Sequence, residues 1–215
     1  GYEGMATPDS YYVNMSGKRI SQTSIKNRYY LKNLTTNEVI ANIYLNRSII
    51  QKEKGNVNAA LKDVNHAIEL HGNDAVAFCN RGVIYEKMKD TGQALRDYNK
   101  AIELNPDYVP AYFNRGSLYA TTKVFDKAIM DYSKALSLDP NSPLSYYNRG
   151  IAFKMVDRID LTIEDLSKAI ALDPKFAAAY AHRGLAYAES GEQEKALADF
   201  TMGLELDPNN KEIYM

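Results

Sequence analysis

The sequence predicts an all-α fold of stacked helical hairpins, and three observations carry that reading. The chain matches itself without a gap at a shift of 34 residues, giving five segments: Ala41–Asp74, Ala75–Tyr108, Val109–Ser142, Pro143–Phe176 and Ala177–Asn210. Inside each segment, apolar and small residues recur at helical rather than strand spacing. A proline preceded by Asn or Asp closes most segments, as in Asp139-Pro140-Asn141-Ser142.

With positions in each segment numbered 1 to 34, position 4 is aromatic throughout (Tyr44, Phe78, Tyr112, Tyr146, Tyr180). Position 8 is Gly82, Gly116, Gly150 and Gly184, with Ser48 in the first copy. Each residue of a helix turns by about 100°, so positions 4, 7, 8 and 11 share one stripe. Positions 20, 23, 24 and 27 form a second stripe on a second helix. Position 20 is Ala in four copies and Thr162 in the other, and position 27 is Ala in four copies and Gly203 in the last. Small residues on both stripes let the two helix backbones approach closely. One such pair cannot bury its apolar face alone, so the pairs must stack.

The pattern aromatic-x-x-x-Gly-x-x-aromatic, then Ala-x-x-x-aromatic-x-x-Ala, then Pro, at period 34, resembles the tetratricopeptide repeat (TPR) over 170 of 215 residues. The Asn-Arg-Gly triplet at positions 6 to 8 resembles a subtype common in bacterial members. The resemblance implies a right-handed α-solenoid of five helix-turn-helix repeats, whose first helices line a concave groove that binds peptides or proteins. The first copy diverges most, with Ser48, Gln51, Val64 and Gly72 at signature positions, as a terminal cap does. Lys211–Met215 matches the first five positions of a sixth copy, with Tyr214 at the aromatic position, so the chain reads as a fragment of a longer array.

Residues 1–40 stand outside the repeat. They hold five of the 17 tyrosines and five basic against three acidic residues. Ser21 to Leu34 reads either as an amphipathic helix, with Ile25, Tyr29, Tyr30 and Leu34 on its apolar side, or as a flexible linker. As a helix it would have a place to go, on the open face of the first repeat.

Position 7 is Arg in every copy (Arg47, Arg81, Arg115, Arg149, Arg183), and position 23 is Asp in every copy (Asp63, Asp97, Asp131, Asp165, Asp199). Both lie on the same side of their stripes, which predicts ion pairs within a repeat or between neighbours. A carboxylate for every guanidinium argues for structure over anion binding.

Positions 2, 5, 6, 9, 12 and 13 project to the opposite side of the first helix, the groove side. Position 6 reads Asn46, Asn80, Asn114, Asn148 and His182. An amide both donates and accepts, so a file of them can bond the main chain of an extended peptide. The resemblance extends to the asparagine ladders of peptide-holding TPR proteins. Positions 5 and 9 add an apolar floor that includes Val83, Phe113, Tyr147 and Ile151, with Phe113 and Tyr147 as the expected anchors. The two-carboxylate clamp of chaperone-binding relatives is missing its lysines at positions 2 and 5.

Net charge is −1, with 26 basic and 27 acidic residues, which argues against a nucleic-acid partner. No apolar run approaches the ~20 residues of a membrane-spanning helix. Cys79 is the only cysteine and the three histidines are scattered, so no metal or cofactor is expected. No phosphate loop, nucleophile elbow or His-Glu metal motif marks an enzyme. The expectation is a non-enzymatic protein-interaction scaffold, with a slight lean to the cytoplasm. The alternatives are a regulatory or substrate-selecting segment of a larger enzyme or secretion assembly, or a self-association module.

Overall fold

The structure is a computed structural model that describes residues 35–208. The segment read as an amphipathic helix and the start of a sixth copy lie outside the described residues. Ten helices and no strand occur among the described residues. In chain order they are α1 (Thr36–Glu53), α2 (Val57–Leu70), α3 (Ala75–Lys87), α4 (Thr91–Leu104) and α5 (Val109–Thr121). They continue as α6 (Phe125–Leu138), α7 (Pro143–Lys154), α8 (Ile159–Leu172), α9 (Ala177–Glu189) and α10 (Gln193–Leu206). Odd helices are the first and even helices the second of each repeat.

One boundary differs from the 34-residue frame. Helix α1 starts at Thr36, inside the stretch assigned to the N-terminal extension. A capping box explains the extra turn: the Glu38 backbone N–H donates to Thr35 Oγ1, and the Thr35 backbone N–H donates to Glu38 Oε2. The Thr35 backbone N–H and hydroxyl, both donating to the carboxylate, hold the Glu38 carboxyl below its ordinary pKa.

The turn inside each repeat has one construction throughout. The N–H of position 16 reaches back to the carbonyl of position 11: Asn56 to Gln51, Asp90 to Tyr85, Val124 to Tyr119, Arg158 to Phe153 and Glu192 to Tyr187, at 2.8–3.0 Å. This six-residue closure is a Schellman-type stop, which places the intervening residue in the left-handed region. That residue is Gly55 and Gly191 in the outer copies, but Lys89 (φ 62°), Lys123 (φ 62°) and Asp157 (φ 58°) in the inner three. Second helices end on an Asx turn: Asn105, Asp139 and Asp173 each accept from the N–H two residues on.

The chain divides into two compact units, residues 1–111 and 112–215, which are described separately. In the first, α1 packs on α2, α2 on α3 and α3 on α4. Its core joins Ala41, Leu45, Ala60, Val64, Ala67, Ala77 and Ile84. In the second, α6 packs on α7, α7 on α8, α8 on α9 and α9 on α10. Tyr132 and Leu166 are its buried pillars, set among Ala128, Ala152, Ala169 and Ala179.

Position 8 shows why glycine is needed there. A β-carbon on Gly82 would lie 2.6 Å from Tyr98 Cε1, and one on Gly184 would lie 2.7 Å from Phe200 Cε1. Glycine lets the first helix rest directly on the ring at position 24.

Candidate functional site

The Arg-Asp pairs form within each repeat. Nε and Nη2 of Arg47, Arg81, Arg115, Arg149 and Arg183 donate to both oxygens of Asp63, Asp97, Asp131, Asp165 and Asp199 respectively, at 2.6–2.8 Å. The fork ties the first helix to the second. All five aspartates are buried. Hydrogen bonds donated to the aspartates raise the pKa of the guanidinium groups of Arg81, Arg115, Arg149 and Arg183, against the opposing effect of desolvation.

A third contact was not read from the sequence. Nη1 of Arg81 donates to Asn65, Nη1 of Arg149 to Ser133, and Nη1 of Arg183 to Ser167, each at 3.0 Å. These acceptors stand at position 25 of the preceding copy. One guanidinium thus bonds its own repeat and the one before it. The signal was available, since position 25 holds only short polar residues: Asn65, Asn99, Ser133, Ser167 and Thr201. Aromatic rings flank the same groups. Arg149 lies 5.7 Å from both Tyr146 and Phe153, and Arg183 lies 5.7 Å from both Tyr180 and Tyr187.

On the groove side, the floor is less open than the sequence suggests. At position 5, Leu45, Cys79 and Ala181 are core residues. Phe113 and Tyr147 are half-buried and packed. Phe113 lies 5.7 Å from the Tyr132 ring, and Tyr147 lies 4.8 Å from Phe176 and 5.6 Å from His182. Position 34 accounts for part of this cover. It is aromatic in the second and fourth copies, where Phe176 folds onto Tyr147 and Tyr108 packs on the core of the first unit. In the first and third copies it is Asp74 and Ser142, which cap the next helix instead. That alternation went unread because it needs a comparison of every second copy.

In the first unit, Asn46 and Asn80 are half-buried on α1 and α3. Asn80 Nδ2 donates to Val76 O at 2.9 Å, so one of its donors is spent on its own helix. Val83 is half-buried beside it on the same helix face. The charges here interact: burial and the nearby Lys87 lower the pKa of Lys52, while burial raises that of Glu86. Glu86 also accepts the Tyr98 hydroxyl, whose own pKa burial pushes up strongly.

In the second unit, Asn114, Asn148 and His182 occupy the same position on α5, α7 and α9. The contact of His182 with Tyr147 fixes the register, placing position 6 of one copy beside position 5 of the copy before. Helix α7 differs from the other first helices. Leu144 (47% exposed) and Met155 (54%) extend Tyr147 and Ile151 into an apolar line along the helix. Sequence reasoning missed the outer two, although α7 is the one first helix apolar at both positions 2 and 13. The charges on this side close on each other, with Lys154 Nζ 2.9 Å from Glu189 Oε1.

Among the described residues, no helix is long and apolar enough to cross a membrane, and no group of three His, Cys, Asp or Glu side chains could hold a metal. The buried Cys79 thiol packs in the first unit.

Comparison with known proteins agrees on the architecture. Models of the tetratricopeptide repeat match residues 75–108 and 177–210, and two further TPR models match 97–129 and 125–156. No match is found among curated proteins. Among solved structures, MamA from Desulfovibrio magneticus RS-1 superposes with a TM-score of 0.71 at 22% identity, covering 79% of this chain and 96% of that one. PilF of Pseudomonas aeruginosa gives 0.77 at 15% identity, covering 83% and 82%. YrrB, described as a TPR protein with an unusual peptide-binding site, gives 0.68 at 18% identity, covering 88% and 95%. The fold is shared with these proteins, and the chain is built of tetratricopeptide repeats.

Proposed function

We propose that this chain is a protein-interaction scaffold that holds a peptide or partner surface on the groove side of its first helices, and that it is not an enzyme. The observation that carries the reading is the face of α7. Leu144 and Met155 stand exposed at its ends, Ile151 and Tyr147 lie half-buried between them with Phe176 and His182 against the Tyr147 ring, and the Asn148 side chain among them makes no hydrogen bond among the described residues. An apolar line interrupted by a two-way hydrogen-bonding amide suits a peptide whose main chain bonds the amide while its side chains meet the apolar groups. The asparagines at the same position on neighbouring helices extend that capacity, and YrrB is a fold relative described as having a peptide-binding site.

The test begins with a peptide selected on the full chain from a displayed library, with its affinity measured by calorimetry. Asn148→Ala is expected to cost about 1 kcal/mol, close to fivefold in Kd. Tyr147→Ala is expected to cost about 2 kcal/mol as a central aromatic anchor. Asn80→Ala should cost less than Asn148→Ala, because Asn80 already spends a donor on Val76. Affinities unchanged in all three variants, with helicity intact, would overturn the groove as the binding surface.

A further inference from the structure

On the groove side, position 12 of one first helix stands opposite position 13 of the next. The second unit shows the pairing directly: Lys154 Nζ, from position 12 of α7, lies 2.9 Å from Oε1 of Glu189, at position 13 of α9. In the first unit the same two positions are Lys52 of α1 and Lys87 of α3. Two ammonium groups therefore face each other where the fourth and fifth repeats set an ammonium against a carboxylate. Lys52 is half-buried, and burial followed by the repulsion of Lys87 lowers its pKa. Among the described residues neither lysine side chain donates a hydrogen bond or joins an ion pair. The neighbouring acids do not fill the gap. Glu53, next to Lys52 on α1, is exposed, and its attraction for Lys52 is weaker than the repulsion from Lys87. Glu86, next to Lys87 on α3, accepts the Tyr98 hydroxyl. A half-buried cation set against a second cation is costly unless a counter-charge arrives.

We propose that Lys52 and Lys87 together bind the carboxylate of an Asp or Glu side chain carried by the peptide in the groove. The inference rests on the groove reading above and adds the chemistry of one ligand position. Each ammonium donates to the carboxylate from its own side, and these charge-assisted bonds replace the repulsion between the two lysines. Position 13 lies seven residues beyond position 6 on the same helix, about 10 Å at 1.5 Å per residue. A peptide main chain bonded to Asn80 therefore passes well short of Lys87. The group that reaches the lysines is a side chain, not the carboxylate at the peptide's end. Half-buried Val83 stands between Asn80 and Lys87 on α3, where it meets the aliphatic stem of that side chain. Lys154 offers no equivalent site, because Glu189 already occupies it.

The test selects a displayed random peptide library on the full chain, on the Lys52→Gln/Lys87→Gln double variant and on Lys154→Gln, with helical ellipticity checked for each. Peptides enriched on the unaltered chain should carry Asp or Glu at one fixed position. The double variant should lose that preference and keep the apolar one, while Lys154→Gln should keep both. Enriched peptides without an acidic position, or an acidic preference that survives the double variant, overturn the inference and leave the groove reading standing. No enrichment on any chain overturns both. Calorimetry on one selected peptide then locates the carboxylate. Changing its acid to the amide should raise Kd about tenfold on the unaltered chain and by less than about twofold on the double variant. Amidating the peptide's C-terminus should change neither value. A loss that follows C-terminal amidation instead of the side-chain change overturns the assignment.

Discussion

Arg47 in the first repeat and Arg149 in the fourth carry the same fork onto an aspartate of their own repeat, at 2.6 Å and at 2.7–2.8 Å. Their surroundings are unlike. Arg149 gives its remaining nitrogen to Ser133 and lies between Tyr146 and Phe153. Among the described residues, Arg47 has one ring beside it, Tyr44, and no acceptor for its remaining nitrogen. The same chemical pair is thus a joint between repeats inside the stack and only a clasp within one repeat at its start. The comparison separates what the pair does for a hairpin from what it does for stacking.

Removing the aspartate should break that comparison most strongly. Asp165→Leu leaves the Arg149 guanidinium one-fifth exposed and without its carboxylate. Loss of one partner of a fully buried pair costs several kcal/mol, and partial exposure reduces the expected cost here to about 2 kcal/mol. Asp63→Leu should cost under about 1 kcal/mol, because the half-exposed Arg47 can turn to water. Urea unfolding followed by helical ellipticity measures both. Equal losses at the two sites would show that the third contact and the flanking rings contribute nothing.

Position 8 gives the next contrast. The first repeat pairs Ser48 with Val64 at position 24, both fully buried, whereas the second pairs Gly82 with Tyr98. Gly82→Ala and Gly184→Ala put a methyl group under 3 Å from a ring. Overpacking of about 1–3 kcal/mol, less about 1 kcal/mol regained in helix propensity, leaves a net loss of roughly 1–2 kcal/mol. Gly150→Ala meets Asp165 Cβ and Leu166 Cγ at 3.3 Å, so its net effect should be near zero. A thermal melt of the three variants distinguishes them. In the second repeat, Gly82→Ser should cost much less once Tyr98→Val is present, because that pair reproduces the first repeat. A double-mutant cycle without coupling would contradict the rule that ring size at position 24 sets residue size at position 8.

These contrasts show what the sequence could and could not convey. Helix existence, the period and the Arg-Asp spacing are local or strictly periodic, so a helical projection shows that Arg115 has an aspartate to pair with, while the structure decides that it is Asp131 of the same repeat. The Asn65, Ser133 and Ser167 contacts bridge two copies and become visible only when the stacking register is known. Cover over the groove floor depends on residues at the far end of a repeat, as with Phe176 on Tyr147, so a projection of the first helix overstates the exposure of position 5. Helix α7 errs in the other direction, since Leu144 and Met155 lie at its two ends and escape a search centred on the repeat signature.

The smallest expected effect concerns the turn at position 15, where the outer and inner copies again divide. Gly55 and Gly191 adopt φ of 80° and 84°, a region glycine enters freely. Lys89 and Lys123 hold φ of 62° with a β-carbon that crowds the following carbonyl, at a cost of about 1 kcal/mol. Both side chains are exposed and neither makes a hydrogen bond or ion pair among the described residues, so nothing offsets the strain. Lys123→Gly should therefore stabilise the chain by somewhat under 1 kcal/mol, since the glycine also adds freedom to the unfolded chain. Gly191→Lys, the reverse change in an outer copy, should destabilise by a similar amount. Opposite signs for these two variants in the same melt would show that the turn, rather than the lysine side chain, sets the energy. If both substitutions destabilise, the inner lysines contribute contacts that the geometry of the turn does not explain.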